Sequence, residues 1–171
     1  RTACDVLAGG DNMRAKKDPD RVIMRYGGNI LASDGMRRER QFIQHGGVSV
    51  YEHSLGVARL CVRIAEKLPF RVDERSLVRG ALLHDYFLYD WHVPDKSHRF
   101  HGFIHAARAE RNAERDFGLN RIERNMIRAH MFPMNLTLPR YRESVILCLA
   151  DKICATRETF SGRKNKRNRS K

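Results

Sequence analysis

Long hydrophobic runs are the first thing missing from this chain. No stretch approaches the ~20 apolar residues needed to cross a bilayer, so no membrane association is expected. Paired cysteines are missing too: Cys4, Cys61, Cys148 and Cys154 show no CxxC spacing. Cys61, Cys148 and Cys154 fall instead within apolar helical patterns, where a thiol behaves as a small hydrophobe; this suits a reducing, cytoplasmic setting. Alternating strand patterns and internal repeats are absent, and no low-complexity segment precedes the C-terminal tail. An all-α fold is what remains. The first residue is Arg1 rather than Met, as expected of a fragment or a processed form.

What is present fits one globular domain: 171 residues, 42% hydrophobic and 31% charged, enough chain to bury a real core. The formal net charge of +13 is partly local. Residues 163–171 hold six basic side chains and no acid; without them 27 basic residues face 20 acidic ones. A tail of this kind is read as disordered and solubilising, with nucleic-acid contact the less favoured alternative. The remaining positive balance favours an anionic substrate through long-range attraction.

Taken in order, residues 1 to about 29 show little periodicity and carry Gly9-Gly10, Asp18-Pro19-Asp20 and Gly27-Gly28. They read as a poorly structured extension ahead of a domain over residues 30–162. A short helix is expected from about Asp34 to Gln44, stopped at His45-Gly46-Gly47. Ser49 and Glu52 form a capping box for a helix from about Val50 to Leu68, with His53 facing inward in its first turn. Asp73 caps the next helix, about Glu74 to Tyr86, which delivers His84 and Asp85 at its end. Tyr86 to Gly102 reads as an aromatic loop, and a helix from Ile104 to Phe117 follows with His105 in its first turn. Asn120 and Glu123 cap a helix carrying His130, and the last helix spans about Arg140 to Phe160.

Two residues break the apolar pattern. Asp85 follows Ala81 by four and Leu82 by three, so it shares their buried stripe; Asp151 interrupts the run Val145-Ile-Leu-Cys-Leu-Ala150. A buried carboxylate loses hydration worth several kcal/mol unless a cation meets it. An arginine partner, a capping role and a metal ion all answer that need. With His53, His84, His105 and His130 at helix ends or in helices, a divalent metal resolves both acids at once. Imidazole and carboxylate donors together suit Fe, Mn or Zn rather than Ca or Mg. Regular helix geometry separates adjacent His84 and Asp85 by about 100°, so they converge only if the helix end gives way. The other histidines, His45, His92, His98 and His101, are read mainly as hydrogen-bonded structure; His101 is a borderline case, since it would face the same way as His105 if that helix began earlier.

The stretches Glu52-His-Ser-Leu-Gly-Val-Ala58, Gly80-Ala-Leu-Leu-His-Asp85 and Leu149-Ala-Asp-Lys152 closely resemble the HD superfamily of metal-dependent phosphohydrolases over about residues 30 to 160. The resemblance implies a helical bundle of about six helices. It also implies that His53, His84, Asp85 and Asp151 bind one metal, with Asp85 bridging to a second held by His105 and His130. The Gly-Tyr-Pro signature of the cyclic-dinucleotide phosphodiesterases is absent, and Tyr86-Phe-Leu follows His-Asp where they carry Ile-Gly-Lys. Those substrates are therefore disfavoured. The stretches Tyr86–His92 and His101–His105 look like a small bacterial HD group known only as hydrolases.

The expected activity is hydrolysis of a phosphoester or phosphoanhydride, of nucleotide type, by a metal-activated water, with Asp85 and Asp151 as the catalytic carboxylates. Lys152, Arg108 and Arg128 are the candidate phosphate contacts, on charge alone. Tyr86, Phe87, Tyr89 and Trp91 either stack a nucleobase or cover the core, and cover is favoured. The alternative function is a sensor that binds metal and nucleotide without turnover.

Overall fold

The computed structural model describes residues 17–93 and 101–169. Among them the backbone forms seven helices and one small hairpin: α1 Pro19–Leu31, α2 Asp34–Glu39, β1 Ile43–His45, β2 Val48–Ser49, α3 Val50–Lys67, α4 Glu74–Leu83, α5 His101–Phe117, α6 Arg121–Ala129 and α7 Arg142–Arg169. The all-α expectation holds. No helix is long and apolar enough to cross a membrane.

The central element is α4, packed against α1, α3, α5, α6 and α7. Its sequence explains the position: every residue from Ser76 to Leu83 is buried, so it presents no solvent face. Leu77, Val78, Ala81, Leu82 and Leu83 are the middle of a core that Val57, Cys61, Met126, Ile127 and Leu147 complete from three other helices. Gly80 lets α6 approach closely, since a Cβ there would collide with Met126.

Local signals set the helix starts. The Ser49–Glu52 capping box opens α3, and Asn120–Glu123 opens α6 with both reciprocal bonds made. Asp73 caps α4 by accepting from the Ser76 N–H at 2.9 Å.

Three expectations need correction. Residues 19–31 are not a loose extension: Asp18 caps α1, Pro19 begins it, and Ile23, Gly27 and Ile30 are buried against the bundle. The helix expected to reach Gln44 ends at Glu39, and Gly46-Gly47 turn a hairpin instead of stopping a helix. Both glycines have positive φ (60° and 100°), the backbone that tight hairpin turns demand. Finally, α7 stays helical to Arg169, through most of the tail read as disordered. Lysine and arginine are good helix formers and their charge suits a helix C-terminus, so a packed helix extends readily through them. The readings of residues 1–16, of His98 and of residues 170–171 lie outside the described residues, as do the side chains of His45 and His101.

Candidate metal centre

All six candidate residues, His53, His84, Asp85, His105, His130 and Asp151, come together and all are buried. They fall into two groups whose potential donor atoms lie within 4.8 Å of one another: His53, His84 and Asp151, and Asp85, His105 and His130. Each group could hold a metal ion.

Helix ends aim two of the imidazoles. His84 is the C-cap of α4, and its Nδ1–H donates to the Ala81 carbonyl at 2.8 Å. His130 is the C-cap of α6, and its Nδ1–H donates to the Ile127 carbonyl at 2.8 Å. The last carbonyls of a helix lack partners, and a ring N–H three residues on supplies one. The bond fixes the tautomer, leaving Nε2 of each ring as the lone-pair donor. The helix end also resolves the divergence of His84 and Asp85. Helical hydrogen bonding ends after Leu83, the Phe87 N–H turns back to the Asp85 carbonyl at 2.8 Å, and the Asn112 amide holds the Tyr86 and Phe87 carbonyls, each at 3.1 Å.

Asp85 lies between the two groups. Its Oδ2 is 3.4 Å from His84 Nε2 and 3.9 Å from His53 Nε2, while Oδ1 is 3.5 Å from both His105 Nε2 and His130 Nε2. On the far side, Asp151 Oδ1 is 3.1 Å from His53 Nε2 and 3.7 Å from His84 Nε2. The nitrogens of His105 and His130 face each other at 2.9 Å.

The donor set fits a cation. His84 Nε2 and Asp85 Oδ1 are fully buried with no hydrogen-bond partner among the described residues, and buried acceptors in that state cost free energy unless something positive meets them. Four imidazoles and two carboxylates suit a divalent transition metal.

The charges of the cluster shift one another's proton affinities. Burial pulls the His53 imidazole down, but its hydrogen bonds to Asp151 and Glu158 and the charges of Asp85 and Asp151 outweigh that and lift it to about 10. Burial pushes Asp85 up, yet the surrounding His84, His105, His130 and His53 hold it at about 2. Asp151 is likewise held well below the usual range, its burial overcome by the His53 and His84 imidazoles. His130 is driven down to about 3, chiefly by burial, and stays neutral.

Comparison with known families agrees with this geometry. A family model described as HD domain matches residues 50–156, more than half of the chain. The chain belongs to the HD-domain family. The matched HD segment runs from the first residue of α3 past Asp151, so it takes in all six residues of the cluster. HD domains make up a superfamily of metal-dependent phosphohydrolases. No curated protein and no solved structure shows significant similarity to the chain.

Around this HD centre the structure adds three residues that the sequence reading passed over. Glu158 Oε2 sits 2.9 Å from His53 Nδ1, holding that N–H so that Nε2 faces Asp151. It lies seven residues after Asp151 on the same helix face, a spacing that was legible. Gln44, brought in by the hairpin, donates from its side-chain amide to Asp85 Oδ2, and its Oε1 is buried with no partner among the described residues. Glu39 is fully buried, and among the described residues neither carboxylate oxygen has a hydrogen-bond partner. Burial, and then the charge of Asp85, raise Glu39 well above its ordinary range.

The cluster opens on a cavity of about 590 Å³, whose lining includes Asp85, His105, His130, Asp151 and Lys152. The other two candidate phosphate contacts do not line it. Arg128 pairs with Glu110 at 2.9 Å in a separate groove, and Arg108 lies over the Tyr89 ring. The aromatic loop divides: Tyr86 and Phe87 are buried, as cover predicts, while Trp91 lines the cavity.

Proposed function

We propose that this protein is a phosphohydrolase that cleaves a phosphoester or phosphoanhydride at the six-residue centre. The observation that carries this reading is one buried carboxylate, Asp85, presenting an oxygen to each of two imidazole groups at the floor of a cavity. In this reading His53, His84, Asp151 and Asp85 hold one divalent ion and Asp85, His105 and His130 the other. When bound, such ions supply Lewis acidity to water and to phosphate oxygens.

The chain's own groups do the rest. Glu158 keeps the proton on His53 Nδ1, so Nε2 stays aimed at the centre. Asp151 orients the attacking water by accepting its hydrogen bond. Gln44 fixes the rotation of the Asp85 carboxylate by donating to Oδ2, which leaves Oδ1 toward His105 and His130. Lys152 reaches the cavity with its ammonium against the carbonyls of His130 and Cys148, at 3.3 and 3.4 Å. An ammonium has three donors, so one remains for a phosphate oxygen.

Elemental analysis combined with a phosphate-release assay tests the proposal. Asp85→Ala is expected to lose bound metal and turnover together while the helical circular-dichroism signal persists. Full metal content and full activity in that variant would overturn it.

A further inference from the structure

The wall of the cavity and its floor make different chemical demands. At the floor are the imidazoles and carboxylates of the centre. The wall is apolar: Trp91, Met131, Phe132, Pro133, Met134 and Ala155 line it, and Lys152 is the only lysine or arginine to do so among the described residues. Among the described residues, the arginines that a polyphosphate chain would call on lie elsewhere. Arg121, Arg124, Arg128 and Arg140 line a different groove, where Arg124 and Arg128 are paired with the acids of α5.

Resting on the hydrolase reading above, we propose that the substrate is a phosphomonoester: one phosphate on an apolar or aromatic leaving group. The phosphate sits at the floor, beside Lys152. The organic group packs against Trp91, Phe132 and Met134, where burying it removes apolar surface from water on both partners. The cavity of about 590 Å³ admits a body of nucleoside dimensions beside a single phosphate. A second or third phosphate would have to sit against methionine, phenylalanine and proline, losing hydration with no further lysine or arginine among the described residues to replace it. In the reaction, a water oxygen forms a bond to phosphorus and the ester P–O bond breaks. The leaving oxygen takes up a proton from that water, and inorganic phosphate and a neutral alcohol or phenol depart.

Trp91 is the chain's single tryptophan and lies in the wall, so its emission reports what enters. The experiment titrates zinc-loaded protein with phenyl phosphate, methyl phosphate and tripolyphosphate, following Trp91 fluorescence. Phosphate release from the same compounds is measured in parallel with zinc, manganese and iron. Phenyl phosphate is expected to bind roughly tenfold or more tightly than methyl phosphate, from the added apolar burial, and more tightly than tripolyphosphate. Phe132→Ala should remove most of that advantage, weakening phenyl phosphate far more than methyl phosphate. Met134→Lys, at a half-exposed position, should shift the preference toward tripolyphosphate. Equal binding of phenyl and methyl phosphate overturns the proposal, as does tightest binding of tripolyphosphate or an unresponsive Trp91. Preference for phenyl phosphate with no ester hydrolysed would remove the hydrolase reading and leave the ligand class standing. Preferential hydrolysis of tripolyphosphate would do the reverse.

Discussion

Two sites in this protein bury charge in the same bundle and treat it in opposite ways. Between α4 and α6, Arg79 and Glu123 meet at 2.7 Å, almost fully buried. The guanidinium also reaches the Phe117 and Gly118 carbonyls, and Glu123 is spent on the α6 capping box. At the C-terminal end of α4 and just past it, His84 and Asp85 are buried too, but among the described residues Asp85 Oδ1 and His84 Nε2 have no hydrogen-bond partner. One site is closed by the chain's own cation. The other leaves buried donor atoms that a cation could meet. A buried charge network therefore marks function only when its donors and acceptors fail to cancel.

The sharpest way to break that contrast is to remove a cation from the closed site. Arg79→Leu strands Glu123 in the core and is expected to cost about 3–5 kcal/mol in urea unfolding. The loss should be the same with and without a chelator. At the open site the chelator itself should lower the melting temperature of wild-type protein, and Asp85→Ala should be indifferent to it. If chelation lowers the Arg79→Leu and Asp85→Ala proteins equally, the two sites do not differ as described.

A smaller effect is expected at Glu158, which touches His53 and not the cavity. Glu158→Ala should weaken metal affinity by about 10–100-fold, read by competition with a chromophoric chelator, with the fold retained. Glu158→Gln, which can still accept from Nδ1–H, should recover part of the loss. Equal losses in the two variants would count against an orienting role.

The smallest effect sharpens the comparison from a third position. Glu39 is buried with no hydrogen-bond partner for either oxygen among the described residues, and its pKa is raised by burial and by Asp85. A carboxyl raised in the folded state contributes fully below its ordinary value of 4.5 and loses stability as pH climbs toward the raised value. Each unit of the shift is worth about 1.4 kcal/mol. Glu39→Gln cannot ionise, so it should be more stable than wild type at pH 7, with the gap closing toward pH 4. Thermal melts at both pH values check this; a gap independent of pH would contradict it.

Much of this architecture was legible because the information is local. The boxes at Ser49 and Asn120 announce α3 and α6, and two carboxylates in apolar runs announce a centre that needs cations. The parts that escaped are set by tertiary contacts or by conflicting local signals. In α1, Asp18-Pro19 is a sound start, but Gly27-Gly28 suggests a loop; burial of Ile23, Gly27 and Ile30 decides for helix. The hairpin is too short for alternation to register, so Gln44 could not be placed beside Asp85 by pattern alone. Arg108 and Arg128 were chosen on charge. Side chains at neighbouring positions of a helix point different ways, and these two point to Tyr89 and Glu110.

His84 and His130 owe their aim to the carbonyl three residues behind each of them. Ligand direction is thus a property of where the coil of the backbone stops, and it is held by main-chain atoms that mutation of neighbouring side chains leaves in place. It follows that tolerance to substitution should be uneven: generous around the rim, narrow in the final turns of α4 and α6, where one added residue of helix would rotate a nitrogen away from its target.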